Sequence, residues 1–126
     1  MAEVFKHLYG TAYVTETPDE KDLERIQEWM VRLVSAIDMN VLIPPQCVWC
    51  KTPNNEGLTG FVVIDTSHFA AHWWPGFVKF DLFSCKDFSL DVVFELLKAL
   101  TAYKITYTMI DRAEDDHPIL DSGMIV

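Results

Sequence analysis

The apolar positions of this chain recur at two different periods, and the changes of period divide it into elements. Residues 3–15 alternate loosely, with Val4, Phe5, Leu8, Tyr9, Tyr13 and Val14 as the apolar set, which predicts a first strand. The period then lengthens. Leu23, Ile26, Met30, Leu33 and Ile37 follow at helical spacing and predict a helix running to about residue 38. Thr17 is its expected cap, Pro18 suits the first helical position, and Glu20 completes a capping box. Val41 to Cys50 reads as a second strand, kinked or placed at a sheet edge by Pro44 and Pro45. A turn over 53–57 leads to a third strand, Leu58 to Asp65, and Phe77 to Ser84 alternates as a fourth. Asp87 or Ser89 caps a second helix with Leu90, Val93, Phe94, Leu97 and Leu100 on its apolar face, and Ile105 to Ile110 forms a last strand. The acidic stretch from Asp111 onward reads as loop.

This order is strand, helix, three strands, helix, strand. It predicts an α+β fold: a two-layer α/β sandwich with a mainly antiparallel sheet and two helices on one face. At 126 residues the chain is expected to form a single domain over 1–126. No internal repeat or low-complexity tract interrupts it.

Composition narrows the function classes. Ten Lys and Arg against nineteen Asp and Glu give a net charge of −9, which argues against a nucleic-acid partner and against an anionic membrane surface. No stretch approaches the roughly 18 apolar residues of a membrane span. The N-terminal residues lack a signal-peptide form, and the three cysteines are an odd number, so reduced thiols in a cytoplasm are expected.

The chemistry concentrates in residues 66–76, Thr-Ser-His-Phe-Ala-Ala-His-Trp-Trp-Pro-Gly, and in Asp81-Leu-Phe-Ser-Cys85. A hydroxyl, two imidazoles and a thiol follow the end of an apolar strand. Taken singly, each has an ordinary structural role: Ser67 as a turn residue, His72 as a packed histidine, Cys85 as a small buried hydrophobe. A second reading pairs Cys47 and Cys50 with His68 and His72 as a zinc site, but 17 residues separate the pairs, more than the usual span of about 12–15. Cys47 and Cys50 as a redox pair lack a following helix N-terminus to lower a thiol pKa. The run Glu114-Asp115-Asp116 reads as a solvated face.

The joint spacing resembles the small bacterial S-adenosylmethionine decarboxylases. Their pattern is Glu-Ser-His, two residues, Ile or Leu, His-Thr-Trp-Pro-Glu, followed by Asp, an apolar residue, and Phe-Thr-Cys. Ser67, His68, His72, Trp74, Pro75, Asp81 and Cys85 match it. The resemblance implies self-cleavage between Thr66 and Ser67. The serine hydroxyl attacks the preceding carbonyl, an ester forms, and β-elimination and hydrolysis leave a pyruvoyl group. That group forms a Schiff base with a small-molecule substrate and serves as the electron sink for decarboxylation, with no metal. The resemblance further implies that His72 helps remove the serine α-hydrogen, that Thr59 assists cleavage, and that Cys85 returns a proton to the substrate. It points to His7, His68, Trp74, the position of Gly76, and Asp81 as substrate-binding candidates, and to a homodimer. Two departures stand out. Thr66 replaces the usual Glu before the serine. Gly76 replaces a Glu that in the family is thought to hold the ribose, which raises arginine or ornithine as other substrates.

Overall fold

The computed structural model describes residues 4–126; residues 1–3, where the first strand was expected to begin, lie outside them. The elements are β1 (Lys6–Val14), a 3-10 turn (Glu20–Asp22), α1 (Leu23–Ala36), β2 (Val41–Cys50), β3 (Gly57–Ile64), β4 (Ser67–Trp74), β5 (Phe77–Ser84), α2 (Leu90–Lys98), β6 (Ala102–Asp111) and β7 (Ile119–Ile125). All seven strands form one sheet in the order β2-β3-β4-β5-β1-β6-β7, and every neighbouring pair is antiparallel. Both helices cover the same face, so the two-layer α+β sandwich is the observed fold.

The core forms where the apolar helix stripes meet alternate strand positions. Ile26, Trp29, Met30, Leu33 and Val34 of α1, and Val93, Phe94 and Leu97 of α2, are buried. They pack over Leu8, Ala12, Leu58, Val62, Phe69, Trp73, Leu82 and Ile105 of the sheet. Trp29 links the layer: its ring meets Phe69 and Trp73 edge-on, and its Nε1–H donates to Leu96 O of α2 at 2.8 Å. A buried indole N–H needs such an acceptor, and this one ties the two helices together.

Three expectations require correction. Asp19, not Thr17, caps the α1 region: its carboxylate accepts from Lys21 N–H at 2.8 Å, and Asp22, not Glu20, returns a bond to Asp19 N–H. Thr17 is occupied elsewhere, accepting from Gly76 N–H at 2.8 Å. Residues 67–74 form a full strand, β4, with Ser67, Phe69, Ala71 and Trp73 buried and the residues between them turned to the other face. Finally, the tail contains β7, which pairs with β6 although almost all of it is exposed. Ser89 is the α2 cap, accepting from Val92 N–H, while Asp87 pairs with Lys6. β2 is an edge strand with register shifts around Pro44 and Pro45, as expected for residues that break the hydrogen-bond ladder.

Candidate active site

Two hairpins bring the central residues together. β3 and β4 are joined by the two-residue turn Asp65-Thr66, which makes Ser67 the first residue of β4. β4 and β5 pair with His68 opposite Phe83, so Ser67 lies beside the end of β5 and Cys85 follows at once. Cys85 N–H donates to Ser67 Oγ at 3.0 Å, and that hydroxyl donates to Cys85 Sγ at 3.5 Å. Thr66 Oγ1 lies 2.8 Å from Sγ and also reaches Asp65 O at 2.8 Å. The Ser67 hydroxyl first, then that of Thr66, holds the Cys85 thiol below its ordinary pKa, against partial desolvation and the Asp65 charge. Ser67 is 5% exposed.

The turn itself is strained. Thr66 has φ +52°, a left-handed conformation that a β-branched side chain rarely adopts and that costs roughly 1–2 kcal/mol. The strain falls on the residue whose carbonyl precedes Ser67. Strained backbone of this kind persists only where the surrounding structure holds it, and it clusters at sites of chemistry.

His72 and Thr59 form a separate pair. They sit directly opposite each other on β4 and β3, with His72 Nδ1 3.1 Å from Thr59 Oγ1. They lie on the helix-free face, in one row that continues through Lys79 of β5 and Thr11 of β1, where Lys79 Nζ donates to Thr11 Oγ1 at 2.7 Å. Trp74 packs near His72 and stacks on Phe77, while its Nε1–H donates to Asn55 at 2.8 Å. Ser67 faces the helix side of β4, and five residues of strand separate it from His72, roughly 16 Å. Within one protomer the fold does not bring His72 or Thr59 to Ser67.

A third cluster lies on the helix-free face at the Ser67 end of the sheet. Asp81 accepts from His7 Nε2 at 2.7 Å, and His68 Nε2 is 3.7 Å away. Arg112 Nη1 is 3.3 Å from His7 Nδ1, which must therefore accept, leaving the ring hydrogen on Nε2 for Asp81. The Arg112 guanidinium also lies over the Phe83 ring. Three of these residues were expected at the site. Arg112 was not, because it stood in a segment read as loop. Lys79 and Phe83 were also missed, although the alternation of β5 already placed them on one face with Asp81.

A cavity of about 540 Å³ opens on the helix-free face, lined by Tyr9, Thr11, His72, Lys79, Asp81 and Thr108 among others. Neither Ser67 nor Cys85 lines it. Gly76 lies at the far end of β4, with φ +90° and nothing within 4 Å of where a Cβ would stand. Its carbonyl accepts from Val14 N–H and its N–H binds Thr17. The space would admit a longer side chain, but the backbone conformation disfavours any L residue.

The zinc and redox readings fail on strand geometry. Cys47 and Cys50 are three apart in an extended strand, so their side chains leave opposite faces. His68 and His72 are about 13 Å apart along β4. Four ligands around one zinc require much closer approach. Cys47 instead packs against the core, and burial pushes its thiol pKa up to about 11.

The sequence profile of the S-adenosylmethionine decarboxylase family matches residues 6–113. The chain belongs to this family of carboxy-lyases. Among its relatives, the S-adenosylmethionine decarboxylase proenzyme of Caldanaerobacter subterraneus subsp. tengcongensis is 29% identical over 118 residues, covering 90% of this chain and 92% of the relative. The proenzyme of the same name from Thermoanaerobacter sp. (strain X514) is 30% identical over an equal span and coverage. That of Carboxydothermus hydrogenoformans is 35% identical over 86 residues, 67% of this chain and 61% of the relative. The matched span takes in all three clusters, from His7 through Arg112.

Proposed function

We propose that this family member is a self-processing, pyruvoyl-dependent decarboxylase that cleaves between Thr66 and Ser67, with S-adenosylmethionine as its substrate and spermidine synthesis in the cytoplasm as its setting. The observation that carries the reading is the Thr66-Ser67-Cys85 cluster: a buried serine hydroxyl, fixed by a backbone N–H, next to a strained carbonyl-bearing residue and a hydrogen-bonded thiol. Those residues fit the formation of a pyruvoyl group at position 67. The group supplies, once formed, a carbonyl that condenses with the substrate amine and draws off electrons as carbon dioxide leaves. Cys85 Sγ, beside position 67, stands where a proton can be returned to the substrate α-carbon. Asp81 and Arg112 hold His7 in one orientation and tautomer, making a polar wall for the substrate at the same end of the sheet.

The separation of His72 and Thr59 from Ser67 supports a homodimer. The helix-free face carries Phe61 and Tyr9, 42% and 44% exposed, with Val48 and Met124 also exposed. An apolar face of this kind favours burial against a second copy. Packing two such faces together lets one copy's Thr59–His72 pair approach the other's Ser67 from the side opposite its helix-facing hydroxyl, toward the α-hydrogen that must be removed.

Gly76 favours a second reading, a changed amino-acid substrate such as arginine or ornithine. A ribose hydroxyl left without its partner costs roughly 1–3 kcal/mol. That corresponds to about tenfold to over a hundredfold in affinity. Intact-mass spectrometry with carbon dioxide release tests both readings. Fragments 1–66 and 67–126, the latter blocked at its N-terminus, with release from S-adenosylmethionine, support the main one. Cleavage with release only from arginine or ornithine supports the second. A chain that stays full length after long incubation refutes both and marks a non-catalytic homologue.

A further inference from the structure

Ser67 Oγ does not leave the site in the cleavage proposed above. It adds to the Thr66 carbonyl carbon as the C–N bond breaks, and its proton passes to the freed amine. Loss of the Ser67 α-proton then breaks the Cβ–Oγ bond, and that bond's electron pair stays on the oxygen. Thr66 therefore ends in a carboxylate made of its own carbonyl oxygen and the former Oγ. One water converts the enamine left at position 67 to the ketone and releases ammonia, with no net oxidation.

That same oxygen already faces Cys85. It accepts from Cys85 N–H at 3.0 Å and donates to Sγ at 3.5 Å, while Thr66 Oγ1 lies 2.8 Å from Sγ. We infer that chain cleavage replaces the Ser67 hydroxyl that donates to Cys85 Sγ with a carboxylate that can only accept, switching Cys85 toward its proton-carrying form, and that Thr66 is the positioning residue on both sides of the switch. The inference rests on the self-cleavage reading.

Before cleavage, the Ser67 hydroxyl donates to the sulfur, and the Thr66 hydroxyl, which donates to Asp65 O, lies close enough to turn its proton onto an ionised sulfur; both lower the thiol below its ordinary pKa. After cleavage the Ser67 hydroxyl no longer exists. The carboxylate that inherits its oxygen has no proton to give, can only accept, and repels a thiolate. The S–H form is then favoured, which is the form needed to return a proton to substrate. The other charges near Cys85 do not oppose this change. Asp65 already disfavours ionisation. Lys86 Nζ donates to Asp38 O at 2.5 Å, and Lys6 pairs with Asp87 at 2.5 Å. His7 and His68 face Asp81. The usual Glu before the serine could not donate from its carboxylate, so the Thr66 donor belongs to this chain.

The distribution of cysteines makes the switch measurable. Cys47 and Cys50 fall in fragment 1–66, and Cys85 is the lone cysteine of fragment 67–126. A partly processed wild-type preparation is pulsed with iodoacetamide across a pH series. Labelling of Cys85 is read by mass in the fragment and by peptide mapping in the uncleaved chain. The midpoint is expected lower in the uncleaved chain than in the fragment. Thr66→Val should raise the uncleaved midpoint, and Thr66→Ser should retain the wild-type value. Equal or reversed midpoints in the two forms, no change in Thr66→Val, or a Thr66→Ser midpoint equal to that of Thr66→Val would overturn the switch while cleavage itself stood. A wild-type chain that never cleaves would remove the proposed function and the switch together.

Discussion

If two copies share the processing chemistry, two inactive variants should rescue each other. The perturbation is co-expression of Ser67→Ala with His72→Ala. Alone, Ser67→Ala has no nucleophile and should stay full length. His72→Ala keeps its nucleophile but loses a proton-transfer group, whose removal typically slows a reaction by roughly 10²–10⁴-fold. The structure sets the geometric demand. Ser67 and His72 are five residues apart on β4, roughly 16 Å, and leave opposite faces of the strand. No side-chain rotation closes that gap within one chain. In a mixed dimer, however, the Ser67→Ala copy still presents His72 and Thr59, and the His72→Ala copy still presents Ser67. Random pairing puts about half of the His72→Ala chains beside a Ser67→Ala partner. Up to that fraction should be cleaved, and every 67–126 fragment should carry the His72→Ala mass. Intact-mass spectrometry reads this directly, with native mass spectrometry verifying that mixed dimers form. Mixed dimers without cleavage, or His72→Ala cleaving at the wild-type rate by itself, would refute the reasoning.

Ser67→Ala should also leave the fold in place: it removes the acceptor of Cys85 N–H, a loss of about 1 kcal/mol by thermal melting. Cys85→Ala, by contrast, should still yield both fragments but turn over poorly; unchanged turnover would remove Cys85 from the reaction. Gly76→Glu and Gly76→Ala should each lose roughly 1–2 kcal/mol of stability, because φ +90° disfavours any L residue, while only Gly76→Glu should bind S-adenosylmethionine more tightly by calorimetry. For Cys47, the folded-state pKa is raised to about 11 from 9.0, so the unfolded chain releases the proton first as pH rises. Its contribution to stability is full below pH 9.0 and is lost between there and about 11; wild-type melting temperature should fall over that window, and the Cys47→Ala curve should be flatter.

The two helices, the edge placement of β2 and the α+β class were legible in the sequence because each depends on local pattern. A helical stripe such as Ile26, Met30 and Leu33 declares its period within a few turns, and Pro44-Pro45 excludes a central strand wherever it occurs. Ser67, His72 and Cys85 stood out for the same local reason, through their spacing. β4 was not legible as a strand. Its buried positions are Ser67, Phe69, Ala71 and Trp73, a mixed set whose alternation matters only against neighbours on both sides. β7 carries almost no buried residue and exists through hydrogen bonding to β6, which no periodicity encodes. What only the tertiary structure decided follows from those two strands. Side chains alternate along β4, so residues close in sequence separate onto opposite faces, Ser67 to one and His72 to the other. Cross-strand register then gathers residues far apart in sequence, His7, Asp81 and Arg112 among them. Sequence spacing named the candidate groups; the pleat and the register determined which of them can meet within one chain.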